Sequence, residues 1–240
     1  ANVVARGDIG IIAASGTGLQ QVSCLVDRWG GGISQAIGTG GRDLSPQVGG
    51  ATMLAALDAL AKDDATKVIV LISKPPAPKV AAKVLGTAAG VGKPVVVNFL
   101  GHTGEMPSDS LTSATDLEAA AHAAAHLAGL PQDPPARHLL NPPELAELSR
   151  NLGKDQKYIR GLYSGGTFSY EAMLILGDML GPIHSSTPLS PEHKLNDPWT
   201  STAHTVVDLG DDTFTRGRPH PMIDQRIRNE RLLQEAKDPE

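Results

Sequence analysis

The chain has 240 residues with a net charge of −5, 26 glycines, 18 prolines and only 3% aromatic residues. The acidic balance and the lack of a basic stripe argue against a nucleic-acid partner, and the single cysteine, Cys24, excludes a disulfide framework or a cysteine-based metal site. The longest apolar run, Val68 to Ile72, is too short to cross a bilayer, and the first residues lack the pattern of a signal peptide. We therefore expect a cytoplasmic α/β protein, without a membrane partner, in which many tight turns use glycine.

The first unit predicted along the chain is a strand, a glycine-rich turn and a helix. Ile9 to Ala13 is a short isoleucine-rich run typical of a strand buried on both faces, and the apolar residues from Leu19 to Trp29 follow helical spacing. A helix that begins after such a turn offers backbone N–H groups to a phosphate or carboxylate. The alternative is a tight turn that needs glycine only for its backbone angles. The residues that would bind the anion are Ser15, Gly16, Thr17 and Gly18.

Three further strand–helix pairs follow up to residue 127, in the alternation of a doubly wound parallel sheet with right-handed crossovers. The predicted strands are Ile33 to Ile37, Lys67 to Ser73 and Pro94 to Leu100, and the predicted helices are Ala51 to Lys62, Lys79 to Ala89 and Thr115 to Leu127, with a polar loop at Gly101 to Ser113. In such sheets ligands bind beyond the carboxyl ends of the strands, where the glycine-rich loops meet.

The second half of the chain repeats the opening pattern after a proline-rich linker with a short helix from Pro143 to Arg150. The predicted division is a domain at 1–130, a linker at 131–157 and a partial α/β domain at 158–240. The second domain is expected to contain strands at Tyr158 to Tyr163 and Thr205 to Leu209, helices at Phe168 to Leu180 and Asp224 to Ala236 with Asp224 as N-cap, and a loop at Gly181 to Ser201. Its first turn supplies the second set of candidate anion ligands, Ser164, Gly165, Gly166 and Thr167.

Common signatures of nucleotide, metal and hydrolase sites are incomplete in this sequence. The glycine-rich stretch after the second strand lacks the lysine of a P-loop, and Gln21 stands where a dinucleotide fingerprint needs its third glycine. His122 and His126 are four residues apart on one helix but have no evident third ligand, so a solvated helix face is favoured over a metal site. Neither Ser15 nor Ser164 lies in a nucleophile elbow. We therefore expect no metal.

Two polar loops carry the remaining candidate residues. Arg42 and Asp43 follow the second strand, which favours a role in ligand binding or at a domain interface. The loop from Gly210 to Asp224 is the densest polar cluster, and its arginines can bind a carboxylate or phosphate through two hydrogen bonds. The alternative is a solvated loop held by its own ion pairs. The candidates for catalysis in this loop are His220, Arg216 and Arg218.

With these motifs placed, the chain resembles the FdrA-type proteins of the succinyl-CoA synthetase superfamily. The residues that carry the resemblance are 7–21, 36–50, 72–78, 93–101, 161–167 and 207–224. The resemblance implies that the first half corresponds to the flavodoxin-like ligase domain of the synthetase α-subunit, and the second half to the C-terminal ligase domain of the β-subunit. It also implies that the chain is an internal segment, with a CoA-binding-like domain before it and the rest of the second ligase domain after it.

The resemblance gives the two glycine-rich turns a shared role. In the synthetases, one helix from each ligase domain directs its N-terminus at the phosphate of a phosphohistidine, and the turns at Ser15 and Ser164 stand at those positions. We therefore expect both helices to face one cleft, lined by Arg42 or by the Arg216 and Arg218 pair. The synthetases carry the histidine in a G-H-A-G segment, which this sequence lacks, and His102 lies too close to the end of its strand to replace it.

Three functions remain open. The resemblance implies a carbamoyltransferase subunit of purine (allantoin) catabolism that makes oxamate and carbamoyl phosphate from oxalurate, a reaction that needs no phosphohistidine. The second is ATP-dependent acyl-CoA ligation, with CoA and ATP expected from the resemblance only. The third is a non-catalytic assembly or regulatory subunit. We expect phosphate or carbamoyl phosphate as the ligand, a small anionic substrate, and either partner subunits or a homo-oligomer, with the isolated segment inactive.

Overall fold

The computed structural model describes residues 3–102, 104–130 and 141–238. By their internal contacts the residues form two compact units, 1–135 and 136–240. Each unit contains its own parallel sheet, so the predicted α/β class is confirmed. Among the described residues no helix is long and apolar enough to cross a membrane.

The first unit contains a five-stranded sheet in the order β2-β1-β3-β4-β5, in which every pair is parallel. This is the strand order of flavodoxin-like doubly wound folds. The strands are β1 Arg6–Ala13, β2 Ile33–Gly38, β3 Val68–Ser73, β4 Val95–Phe99 and β5 Leu111–Ser113; the helices are α1 Gly16–Arg28, α2 Ala51–Lys62, α3 Pro78–Ala88 and α4 Leu117–Leu127.

Helices cover both faces of this sheet, which explains why its central strands are apolar throughout. All six residues of β3 and all five of β4 are buried. On one face, α2 and α3 pack on the sheet through residues such as Met53, Leu57 and Val84, each fully buried. On the other face, α1 packs against α4, whose buried residues after Leu117 are alanines. These small side chains let the two helices approach closely.

The second unit contains a three-stranded parallel sheet in the order β6-β8-β7. Val206 on β8 packs with Met173 of α6 on one face of the sheet, whereas Val207 and Leu209 pack with Phe214 on the other. The elements are α5 Pro142–Arg150, β6 Arg160–Tyr163, α6 Gly166–Leu180, β7 His184–Ser185, a 3₁₀ turn Pro191–His193, β8 Thr205–Asp208, α7 Asp212–Thr215 and α8 Arg226–Glu235.

A buried ionic network ties α8 to β6 in this unit. Arg231 is 1% exposed and pairs with Glu235 Oε1 at 2.7 Å, while the other oxygen of Glu235 accepts a bond from Arg160 Nε at 3.2 Å. Arg160 also pairs with Asp238 at 3.2 Å and donates to the carbonyl of Ala203. We call Arg160, Arg231, Glu235 and Asp238 the α8 network.

Several short elements differ from the sequence prediction. β5 lies inside the predicted polar loop, and β7 and α7 lie inside the other two predicted loops. Each has only two to four residues, too few to show an apolar period. The last helix begins at Arg226 rather than Asp224, because Asp224 accepts the Arg226 N–H at 3.0 Å in a turn before the helix. The linker helix is confirmed at Pro142–Arg150, with Asn141 and Glu144 forming a capping box; residues 131–140 lie outside the described part of the chain.

Candidate functional site

The first glycine-rich segment is the opening turn of α1 rather than a loop before it. Ser15 is the N-cap, and its Oγ accepts the Gly18 N–H at 2.9 Å. The sequence prediction began the helix at Leu19, three residues too late, because glycine has a low helix propensity that the cap overcomes. The turn therefore presents the helix N-terminus directly at the end of β1.

The two glycines of this turn have different roles. A Cβ on Gly16 would meet nothing within 4 Å, so the space over its backbone is open. A Cβ on Gly18 would lie 2.8 Å from Ile72 Cγ2 on β3, and the Gly18 N–H is already used by the cap. Gly18 therefore serves packing and capping, whereas Gly16 and Thr17 lie where a ligand can reach the backbone.

The turn lies at the point of the sheet where the strand order reverses. β1 pairs with β2 on one side and with β3 on the other. Beyond the ends of these strands, the Ala14 N–H donates to the Ile72 carbonyl at 2.9 Å and the Thr39 N–H donates to the Ala13 carbonyl at 2.8 Å. In open α/β sheets this switch point is the usual ligand-binding crevice.

The loop after β2 lies next to this turn. A Cβ on Gly41 would be 3.8 Å from the Ala14 carbonyl oxygen, so the glycine-rich stretch of this loop runs past the start of α1. Arg42, the next residue, is exposed and makes no ion pair with any residue that the structure describes. It is the basic side chain nearest in sequence to this contact.

Asp43 has a structural role that the sequence analysis missed. Its carboxylate is 3% exposed and accepts two backbone N–H groups at the start of α2, from Thr52 at 3.0 Å and from Met53 at 2.9 Å. The N-cap of that helix is Gly50, which has no side chain to cap it. Because both oxygens of Asp43 accept N–H groups of α2, this residue has a structural role in the fold, and its expected role in substrate binding stays a prediction.

The corresponding turn of the second unit follows β6. Gly165 is the N-cap of α6 and makes no side-chain capping bond, Gly166 opens the helix, and Thr167 is 3% exposed. Ser164 is half-buried. Burial and, to a lesser extent, the charge of Glu171 raise the pKa of Tyr163, the last residue of β6, so its phenol is neutral at physiological pH.

The end of β8 brings His220 and Asp208 together over Gly210. Asp208 pairs in register with Tyr163, so it lies beside the turn that starts α6. Its Oδ1 accepts the Gly210 N–H at 2.9 Å, and a Cβ on Gly210 would lie 3.1 Å from this oxygen and 2.6 Å from His220 Nε2. The sequence analysis missed Asp208, although its position at the end of a predicted strand was a usable signal.

The two arginines of the same loop are exposed. The Arg218 guanidinium stacks over the Trp199 ring at 5.9 Å from its centroid. Arg218 also lines a surface pocket of about 380 Å³ with Asp224, Arg226 and Glu230, and none of the other candidate site residues lines it. Arg226 is already paired with Asp224 at 2.5 Å. Arg216 lies at the end of α7 and makes no ion pair within the described ranges.

The remaining histidine candidates are on α4 and just after β4. His122 and His126 are on the exposed side of α4, and the His122 ring packs edge-on against Trp29 with centroids 5.7 Å apart. No group of three metal-ligating side chains occurs in the described part of the chain. His102 follows β4, and its Nε2 is buried without a hydrogen-bond partner among the described residues.

Two known family models match this chain, one within each of its two units. Residues 5–101 match the CoA binding domain, and residues 162–240 match the CoA-ligase family. Each match covers less than half of the chain. The description of the first match differs from the resemblance, which implied a ligase-type flavodoxin-like domain at these residues.

One curated relative and one solved structure match this chain over part of their own length. The uncharacterized protein YahF of Escherichia coli (strain K12) is 49% identical over 241 residues, which cover 100% of this chain and 47% of YahF, so the chain spans about half of that relative. The dinucleotide-forming acetyl-coenzyme A synthetase 1 of Ca. Korarchaeum cryptofilum is 18% identical over 74% of this chain and 37% of its own, with TM-scores of 0.40 in the apo form and 0.41 in complex with phosphate and ADP. These structural likenesses are too distant to support a functional argument.

Proposed function

We propose that this chain is an FdrA-type member of the succinyl-CoA synthetase superfamily that binds a phosphate or carboxylate at the N-terminus of α1 and takes part in carbamoyl transfer. In this reaction, phosphate and oxalurate give carbamoyl phosphate and oxamate, as a step of purine catabolism. The observation that carries the proposal is the open space over the backbone of Gly16, in a turn at the switch point of a flavodoxin-like sheet.

The turn alone is not sufficient for useful affinity. A helix N-terminus stabilises an anion by about 0.3–1 kcal/mol when exposed and up to about 2 kcal/mol when partly buried, whereas a hydrogen bond to a charged group contributes about 1.5–3 kcal/mol. Arg42, on the loop that passes Ala14, supplies such a bond in the proposal. The role in anion binding expected for the α6 turn at Ser164 to Thr167 stays a prediction.

ATP-dependent acyl-CoA ligation is the second candidate, and the CoA descriptions of both family matches favour it. In the synthetases this chemistry passes through a phosphohistidine. The G-H-A-G segment is missing from this sequence, and the buried Nε2 of His102 is not open to a phosphate. Carbamoyl transfer is therefore the function that we propose, because it needs an anion site and no phosphorylated histidine.

The test measures phosphate exchange and ligand binding by the full chain, alone and with the proteins that copurify with it. Phosphate release from carbamoyl phosphate that depends on oxamate supports carbamoyl transfer. Turnover that requires CoA and ATP supports ligation instead. If phosphate binds but neither the chain alone nor the chain with its copurifying proteins shows turnover, the result supports a non-catalytic subunit. If phosphate does not bind, the result contradicts the anion site.

A pair of glycine variants separates the site from the fold. Gly16→Ala places a methyl group in the open space over the α1 turn, and we expect it to weaken phosphate binding at least tenfold without loss of stability. Gly86→Ala is the matched control, because a Cβ on Gly86 in α3 also meets nothing within 4 Å. It should leave binding unchanged. Equal phosphate affinity in both variants would contradict the site at Gly16.

A further inference from the structure

The ring of His220 is held in one tautomer by a backbone hydrogen bond. The Met222 N–H donates to His220 Nδ1 at 3.2 Å. A backbone amide can only donate, so Nδ1 must carry the lone pair while this bond exists. In the neutral imidazole the proton is then on Nε2, which makes Nε2 a hydrogen-bond donor. The bond is local and belongs to the turn, since the His220 carbonyl also accepts the N–H groups of Ile223 and Asp224.

The Nε2 atom is placed at the carboxyl end of β8. It lies against Gly210, where any larger residue would collide with it. Asp208 Oδ1 lies on the same side of Gly210 and is held by the Gly210 N–H. Asp208 is paired with Tyr163, the residue before the α6 turn, so the donor, the carboxylate and the helix N-terminus share one edge of the sheet. Ligands of parallel sheets bind at this edge.

We infer that His220 is a catalytic residue that donates a hydrogen bond from neutral Nε2–H to the carbonyl oxygen of an acyl or carbamoyl substrate. Asp208 and Gly210 are positioning residues for this donor. The inference rests on the proposed function for the class of substrate, and it adds a hydrogen-bond donor at the carboxyl edge of the second unit's sheet. A neutral imidazole can stabilise a developing oxyanion in this way without transferring a proton.

Two substitutions separate the donor from the turn that holds it. In His220→Asn, the side-chain oxygen can still accept the Met222 N–H in an Asx turn, but the donor at the Nε2 position is lost. In His220→Gln, the amide nitrogen lies near that position and retains a donor. Loss of one oxyanion donor typically lowers kcat by about 10²–10³-fold. We expect this fall in kcat for His220→Asn, with KM changed less than about threefold. For His220→Gln we expect kcat to fall by less than about tenfold.

Nitrogen-detected NMR of the imidazoles in the full chain tests the inference without turnover. We expect His220 to show the Nε2–H tautomer, and its Nε2–H proton to shift downfield when oxamate, oxalurate or carbamoyl phosphate is added. Gly210→Ala should displace the ring and abolish that shift while phosphate still binds. An Nδ1–H tautomer, a resonance that none of the three ligands moves, or equal kcat values for the two His220 variants would overturn the inference. A wild-type chain that shows the shift but transfers no carbamoyl group would contradict the proposed function and leave the donor in place.

Discussion

The two units of this chain are stabilised by different interactions. The first unit has a large apolar cluster between its sheet and the helices α2 and α3, in which Leu57, Ile69 and Val97 are at most 1% exposed. Among the described residues of the second unit, two small apolar clusters lie one on each face of β8, and the paired charges of Arg231, Arg160 and Glu235 are buried. The comparison shows that two units with the same strand–turn–helix pattern can be stabilised differently, one by a large apolar core and the other by a small apolar core together with buried ion pairs.

The difference has a physical origin in the length of the strands. β3 and β4 bury every residue under helices on both faces, whereas β6 has four half-buried residues and β7 only two residues in all. A short sheet covers less apolar surface, and α6 accordingly leaves Met179 74% exposed. We expect the second unit to be the less stable of the two, which hydrogen exchange measured separately for β3 and β8 would check.

The largest effect that we predict comes from removing the shared carboxylate of the α8 network. Glu235→Ala leaves Arg231 buried without its partner and removes one acceptor of Arg160, and loss of one partner of a buried ion pair costs about 3–5 kcal/mol. Amides of β6 and β8 should lose exchange protection, while those of β1 and β3 keep theirs. Glu230→Ala, an exposed change on the same helix, is the control. Equal loss in both units would break the comparison.

A truncated core side chain in the first unit tests whether that unit can be destabilised without the second. Leu57→Ala removes a fully buried side chain from the α2 contact with the sheet, and such truncations cost about 2–5 kcal/mol. Chemical denaturation followed by exchange in β3 should report the loss, with β8 unchanged. Ala51→Gly, at the exposed start of the same helix, should cost less than about 1 kcal/mol. A comparable loss in β8 would mean that the units unfold together.

A smaller loss of stability is predicted when Asp43, which caps the start of α2, is removed. Asp43→Ala removes the acceptors of the Thr52 and Met53 N–H groups and should cost about 0.5–2 kcal/mol, visible as faster exchange of those two amides. Arg42→Ala should leave stability unchanged and lower phosphate affinity instead. If Asp43→Ala alters affinity as strongly as Arg42→Ala at equal stability, Asp43 belongs to the binding site after all.

The smallest predicted effect depends on pH. Hydrogen bonds from the Thr66 hydroxyl and the Ala65 N–H lower the pKa of Asp63 below its ordinary value of 3.8. Because the folded pKa is the lower one, the stabilisation is present above the unfolded pKa and is lost as the pH falls through the folded pKa. Denaturation of wild type and Asp63→Asn between about pH 2 and 6 should show a difference that disappears at the acid end. A difference that grows toward low pH would contradict the assignment.

Local sequence patterns were sufficient to predict the longer elements of the fold. The continuous apolar runs of β3 and β4 and the switch to helical spacing from Leu19 predicted a doubly wound sheet, because each strand buried on both faces leaves an uninterrupted apolar run. The candidate turns at Gly16 and Gly166 were recognisable because small residues between a strand and a helix leave backbone N–H groups exposed.

Only the tertiary structure decided which polar residues make structural hydrogen bonds and which are exposed. Asp43 and Arg42 are adjacent in sequence, yet the first caps a helix that begins eight residues later and the second is exposed. Likewise Asp208 and His220, twelve positions apart, meet over Gly210 because the chain turns back at the end of β8. A pattern of residue types records which hydrogen bonds a side chain can make, but the partners are chosen by contacts between distant parts of the chain.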